Sequence, residues 1–248
     1  MALTTIINLI LIAILVVCAW QGFKKGIIMG IIEILVIILS LYGAQLLSDT
    51  FSYEIIPVLK PFVGGVMDTR IDETAYEVLG YEPDENGSYA YIVESLTDLI
   101  TDMPESRQEI CRWAYRDLGI YDTMADDMAQ RTVEYMDQND VSLNTAITTV
   151  LCQSVSWYGG FMIAFIILFT VMIVIVNLPN LSFRIPYVGI LNDLGGLAIG
   201  VYTGFLFCSL LVWVLQFTGL VLPQESVQQA GVAAWFLEKD FLSTLITF

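Results

Sequence analysis

Four long apolar stretches constrain the fold of this chain more than any other feature. Residues 3–20, 157–178 and 194–222 contain no charged side chain, and residues 27–47 contain one, Glu33. A bilayer core of about 30 Å is crossed by about 20 helical residues, and backbone polar groups in lipid must be satisfied within the segment. None of the stretches alternates with the period of a membrane strand. We therefore predict four transmembrane helices.

The segment between the second and third stretches has the opposite composition. Residues 48–155 hold 21 of the 26 acidic residues of the chain and 6 of its 10 basic residues. They also place Ile92, Leu96 and Leu99 on one helical face, and their apolar content is too high for a disordered acidic tail. The predicted fold class is therefore all-α, a four-helix transmembrane bundle with an acidic helical extramembrane domain inserted between spans two and three.

Start and stop residues mark further helices in the acidic segment. Pro104 can begin a helix that Gly119 ends, and Asp122 can cap the helix that follows. A last helix begins near Ser142 and runs into the third span.

The same changes in composition give the domain boundaries. Residues 1–47 form one transmembrane hairpin, and residues 156–222 form a second. Residues 48–66 mix aromatic and aliphatic side chains with two prolines, which is typical of an interfacial segment. Residues 67–155 are the acidic extracytoplasmic domain, and residues 223–248 are an amphipathic C-terminal tail that is too short and interrupted to span.

Basic residues in the short loops predict the orientation. Lys24 and Lys25 lie between spans one and two, and Arg184 lies between spans three and four. Lys60 and Lys239, on the opposite side, lie well away from the span ends. Since cytoplasmic loops carry the excess of Lys and Arg, both short loops are predicted to be cytoplasmic. Both termini and the acidic domain are then extracytoplasmic.

The composition also excludes several functional classes. The chain has no histidine, so it has no His-based catalytic pair and no His metal ligand. Its net charge of −16 argues against nucleic-acid binding, because Lys and Arg bind phosphates. It contains no phosphate-binding glycine motif, no nucleophile elbow and no CxxC pair. We expect no enzymatic activity, no cofactor and no metal site.

Six glycines form two rows with a spacing of four residues: Gly22, Gly26 and Gly30, then Gly196, Gly200 and Gly204. Residues four apart lie on one helix face, where glycine lets two backbones approach closely. Two interpretations follow from this pattern. The rows are either a packing seam between the protein's own helices or a face for self-association.

Polar residues inside or beside the apolar stretches are a second candidate site. Glu33 lies about two turns into span two, and an acid at that depth suggests a function by default. Its possible partners are Asn8 in span one and Asn192 or Asp193 at the start of span four. Such a set predicts a proton or cation relay. Alternatively, the acid has a structural role and is held by Lys24 or Lys25 nearby.

Two cysteines lie in the acidic segment, Cys111 and Cys152. An oxidising compartment would allow them to form one disulfide. Two free buried thiols are the equally weighted alternative.

Two sequence blocks resemble the CvpA family, the colicin V production protein family of bacterial inner-membrane proteins. In residues 8–45, two apolar helices flank a Gly-Phe-Lys-Lys-Gly turn that is similar to the family's Gly-x-x-basic-Gly turn. In residues 188–196, the entry to span four contains Asn192 and Asp193 and is followed by Gly200 and Gly204, similar to the family's glycine-rich entry to its last span.

The resemblance implies a membrane protein linked to toxin production and envelope processes, without a known reaction. The chain departs from the family in three respects. The family usually has an acid where this sequence has Asn8, and a basic residue is common where Asp193 stands. The acidic segment between spans two and three is also much longer than in compact members.

Together these features predict a non-enzymatic scaffold or accessory factor in the production or secretion of a colicin V-like toxin or in envelope maintenance. Its expected partners are the lipid bilayer and either a second copy or other envelope proteins. The alternative is a small transporter or channel component in which Glu33, Asn8 and Asp193 line a polar path. A transport path requires Glu33 to face other polar groups inside the bundle.

Overall fold

The computed structural model describes residues 2–80, 82, 104–177, 189–217, 224–228 and 231–239. Every regular element in these ranges is an α-helix, so the all-α class is confirmed for them. The helices are α1 (Ala2–Val78), α2 (Pro104–Asp117), α3 (Asp122–Asn139), α4 (Leu143–Asn177), α5 (Gly189–Leu215), α6 (Gln224–Gln228) and α7 (Gly231–Lys239). The apolar face predicted at residues 92–100 and the loop with Arg184 lie outside the described residues.

Three of the described helices are long and apolar enough to cross a membrane: Thr4–Glu54 within α1, then α4 and α5. The first of these contains both stretches that the sequence predicts as spans one and two. Its 51 residues would measure about 75 Å as one straight helix, more than twice the bilayer core of about 30 Å. One straight crossing therefore cannot account for this segment.

Gly26 interrupts α1 and divides it into α1a (residues 2–25) and α1b (residues 27–78). Its backbone has φ 79° and ψ 179° and is not helical, and its φ lies in the left-handed region that glycine adopts at little cost. Before this break, α1a runs antiparallel to α5. Leu15 lies against Gly204, and Gly22 lies against Gly196.

After the break, the contacts with α5 run in the opposite order. Ile27 lies against Gly195, and Gly30 lies against Ile199. Since the contact position on α5 now rises along the chain, α1b is parallel to α5. The two parts of α1 therefore run in opposite directions, and Gly26 is the turn of a helical hairpin.

The chain divides into two compact units, which we call the membrane unit (residues 1–48 and 160–248) and the acidic unit (residues 49–159). The acidic unit begins at Asp49, so it includes most of the segment 48–66, which is helical as part of α1. In the membrane unit, α5 ends at Leu215, before the predicted span end at residue 222.

Large apolar side chains cover much of the outside of the membrane unit. Leu9 is 66% exposed and Ile163 is 63% exposed, and many other Ile, Leu and Val residues on α1, α4 and α5 are similarly exposed. A soluble protein rarely exposes a contiguous apolar surface of this kind. It is the surface expected of helices that face lipid.

The acidic unit has an apolar core with a polar joint at its centre. The Tyr115 hydroxyl lies 2.6 Å from the Thr132 hydroxyl and donates to the Ile147 carbonyl at 3.3 Å. These bonds connect α2, α3 and α4, and both side chains are completely buried. A buried hydroxyl that is fully hydrogen-bonded fixes the relative position of the helices that it joins.

The helix boundaries in the acidic unit follow the sequence with one correction. Helix α2 begins at Pro104, and Gly119 follows its end with φ 80°, both as expected. Asp122, however, is the first residue of α3 and not its cap. The cap position belongs to Tyr121, which has extended backbone and no side-chain capping bond. Asp122 instead forms an ion pair with Arg116, whose Nε lies 2.7 Å from Oδ1 of Asp122.

Candidate functional site at the membrane hairpin

The two glycine rows pack directly against each other in the membrane unit. A Cβ atom on Gly22 would lie 2.7 Å from the Cα of Gly200, and one on Gly196 would lie 2.8 Å from the Cα of Gly26. Real Cβ contacts essentially never fall below 3.0 Å, and backbone atoms cannot rotate away. The close approach of α1a and α5 therefore depends on glycine at these positions.

The outer members of the rows also lie close to their neighbours. A Cβ on Gly204 would lie 3.1 Å from the Cα of Leu15, and one on Gly30 would lie 2.7 Å from Cγ2 of Ile199. The second neighbour is a β-branched side chain, which has little freedom to shift within a helix. All six glycines thus lie in contacts between the protein's own helices, which is the first of the two interpretations of the pattern.

Asn192 of the neighbouring helix α5 binds the backbone next to the hairpin turn. Its Oδ1 accepts a hydrogen bond from the backbone N–H of Ile27 at 3.1 Å, and the residue is only 4% exposed. Ile27 is the first helical residue after the break, and the first N–H groups of a helix have no partner within it. Asparagine is among the best acceptors for such a group. Here it acts from a different helix.

The same side chain leaves no room beside the turn. A Cβ atom on Gly26 would lie 2.9 Å from the Cγ of Asn192. Gly26 is therefore required twice, once for its left-handed backbone and once for the space that Asn192 occupies. Asp193 follows Asn192 on α5 and is half-buried.

Lys25 and Glu33 form an ion pair across the hairpin. Lys25 is the last residue of α1a and Glu33 lies on α1b, and their side chains are 32% and 12% exposed. The acid is thus neutralised by a neighbouring base, as the structural interpretation of Glu33 expects. Lys24 points elsewhere and lies over the ring of Trp20, 5.0 Å from its centroid, in a cation–π contact.

Asn8 lies near the start of α1a, at the opposite end from the hairpin turn, and binds α7. Its Oδ1 accepts from the backbone N–H of Val232 at 3.2 Å, at the start of α7. Along α1a, Asn8 is separated from Lys25 by about 25 Å at 1.5 Å per residue. The structure therefore places Asn8 and Glu33 in separate joints between helices and does not bring them together.

Cys111 and Cys152 are both buried and are free thiols in the acidic unit. Burial raises the pKa of the Cys111 thiol to about 12. Because the thiolate is the reactive form, this thiol is inert near neutral pH. Of the two alternatives for this pair, the structure contains the reduced one.

A second row of small residues lies on α1b and is not among the packing residues that the sequence predicted. Ser40, Ala44 and Ser48 lie four residues apart on α1b and are buried. A Cβ on Gly160 of α4 would lie 3.2 Å from the Oγ of Ser48, so α1b and α4 approach closely there. Serine and alanine at this spacing carry the same signal as glycine. A pattern of small residues in general, and not of glycine alone, predicts this contact.

The comparison with known proteins bears on the second half of the chain. Residues 125–240 match the family model described as "Colicin V production protein". The matched region contains Asn192, the glycine row of α5 and the whole of α7, whereas the hairpin turn at Gly26 precedes it. No curated protein and no solved structure matches the chain.

Proposed function

We propose that this chain, whose residues 125–240 match the model of the colicin V production protein family, is a member of that family and a non-enzymatic scaffold or accessory factor in toxin production, secretion or envelope maintenance. Its apolar helices fit a membrane protein of this family. The proposed site is the hairpin at Gly26, where α1a and α1b both pack against α5.

One observation supports the scaffold role most directly. Two of the three polar residues predicted for a transport path, Glu33 and Asn8, are engaged in contacts between helices. Glu33 pairs with Lys25, and Asn8 binds the start of α7. Asn192 satisfies the backbone at the hairpin. In lipid, where water is absent, such bonds fix helices in place.

The proposed architecture is a bundle of four spans in a bacterial inner membrane. Spans one and two are α1a and the first part of α1b, and they meet at Gly26. Lys24 and Lys25 at this turn support a cytoplasmic location for it, because cytoplasmic loops carry the excess of Lys and Arg. The termini and the acidic unit are then extracytoplasmic, where the acidic unit is available to protein partners.

Transport is the second candidate, because one observation favours it. Glu33 is largely buried within the apolar stretch 27–47, and ionisable residues in such positions often mark proton or ion pathways. In this alternative the pair with Lys25 is one state of a relay. The two proposals differ in whether the charge of Glu33 is needed.

A double substitution separates them. Lys25→Met with Glu33→Met replaces the ion pair by apolar side chains of similar length, a change that is often neutral or stabilising. The variant is produced in a colicin V-producing bacterium that lacks its own family member, and toxin release is measured as the zone of growth inhibition. The scaffold proposal expects wild-type release at a wild-type membrane level of the protein. Loss of release at that level would contradict it and favour transport.

The orientation is tested by single cysteines in a background without the four native cysteines. Asn139, at the exposed end of α3, and Asn177, at the exposed end of α4, are the two probe positions. An impermeant thiol reagent added to intact cells is expected to label Asn139→Cys and not Asn177→Cys. The reverse pattern would place the acidic unit in the cytoplasm and overturn the proposed orientation.

A further inference from the structure

We propose that α7 is a re-entrant helix, which turns back from the end of α5 and lies within the membrane beside it, locked at its start by Asn8. The sequence predicts this region as an amphipathic tail. The inference goes beyond the proposed function and does not depend on a role in toxin production.

The register between α1a and α5 gives the level of Asn8 along α5. The two helices are antiparallel, with Cys208 Sγ 3.5 Å from the carbonyl oxygen of Leu11 and Leu15 against Gly204. Asn8 lies about one turn before Leu11. It is therefore level with approximately residue 211 of α5.

Two contacts fix the direction of α7. Its start is bound to Asn8 through Val232. Further along, the rings of Trp235 and Phe236 pack on Phe205, with centroids 5.9 and 5.1 Å apart. Since α7 passes from the level of residue 211 to that of Phe205, it runs back along α5 in the antiparallel direction.

The position of Phe205 gives the depth. It precedes the end of α5 at Leu215 by about 15 Å and lies about 5 Å from the middle of that helix. A hydrocarbon core of about 30 Å centred on α5 would enclose it. Phe236 of α7, which is buried against it, lies at the same depth. A surface helix would instead lie near the end of α5.

The sequence of α7 suits this position. Residues 231–237 are uncharged, with Ala233 and Phe236 facing the protein and Trp235 exposed. Within lipid the first backbone N–H groups of a helix need an acceptor from the protein. Asn8 supplies one to Val232, which gives a role to an amide side chain inside an uncharged span.

The end of α7 adds a second requirement. Glu238 and Lys239 are exposed and follow Phe236 after one residue, Leu237. A charge at this depth is stable only beside water or an opposite charge. The structure thus assigns α7 an exposed, lipid-facing aromatic side chain, Trp235, and an exposed charged end at Glu238 and Lys239.

Single cysteines at these two positions test the inference. Trp235→Cys and Glu238→Cys are made without the native cysteines and labelled in membrane fragments that expose both faces. A charged thiosulfonate is expected to label Glu238→Cys, and to label Trp235→Cys at least tenfold more slowly than the exposed control Asn139→Cys. A lipid-soluble maleimide should label Trp235→Cys readily.

Asn8 provides the matched pair of variants. Combined with Trp235→Cys, Asn8→Ala is expected to raise labelling by the charged reagent at least tenfold, whereas Asn8→Asp keeps an acceptor and should leave Trp235→Cys protected. Labelling of Trp235→Cys at the rate of the control would place α7 on the surface and overturn the proposal. An unreactive Glu238→Cys would contradict the exposed charged end of α7. These results do not depend on toxin release, so the proposed function can fail independently.

Discussion

Replacing Gly26 by alanine tests the hairpin of the membrane unit at the residue where the chain reverses. Two physical effects act at this position. Alanine has to adopt φ 79°, in the left-handed region, and its Cβ would lie 2.9 Å from the Cγ of Asn192. The Asn192 side chain must then move and release the N–H of Ile27.

The expected loss can be worked out from these two effects. A left-handed backbone costs an L-residue about 1–2 kcal/mol. Loss of an asparagine cap costs about 1 kcal/mol. Together they lower the free energy of unfolding by about 2–3 kcal/mol, which is a change of about 30- to 160-fold in the unfolding equilibrium.

The assay is reversible unfolding in mixed micelles with increasing SDS, followed by tryptophan fluorescence. Gly159→Ala is the matched control, because a Cβ at Gly159 meets nothing within 4 Å and the residue lies inside helix α4. It should stabilise the protein by about 0.5–1 kcal/mol. If Gly26→Ala were as stable as the wild type while Gly159→Ala behaved as expected, the left-handed turn and its cap would be refuted.

Asn192→Ala should lower the free energy of unfolding in the same assay by about 1 kcal/mol, with Asn192→Asp nearer to the wild type because aspartate also caps well. Glu33→Met alone should destabilise more than the double substitution with Lys25→Met, since it leaves a partly buried charge unpaired; equal losses would show that the pair does not matter. Tyr115→Phe should cost about 1 kcal/mol through its two buried hydrogen bonds, and an unchanged thermal midpoint of the acidic unit would contradict this. The pKa of Cys111 is raised from 9.0 to about 12, so above pH 9 the unfolded chain loses this proton first; stability should fall as pH rises from 9 towards 12, and Cys111→Ala should flatten the slope between pH 9 and 10.

The sequence predicted several residues of the site, but not which of them contact each other. The spacing of four between Gly22, Gly26 and Gly30 predicted a close helix contact, and the structure shows this contact with α5. The pattern could not show whether the partner helix was the protein's own or a second copy's. That depends on which helices are adjacent, and spacing within one helix carries no information on its neighbours.

The sequence by itself determined where the apolar helices lie and that an acidic helical segment separates them. Backbone groups in lipid must be satisfied locally, so a long uncharged stretch has few alternatives to a helix. Only the tertiary structure decided which polar residues meet. Asn192 binds Ile27, and Asn8 binds Val232, far apart in the chain. Such pairs depend on the register between packed helices. Local composition does not encode this register, because the backbone hydrogen bonds within each helix are the same in every register.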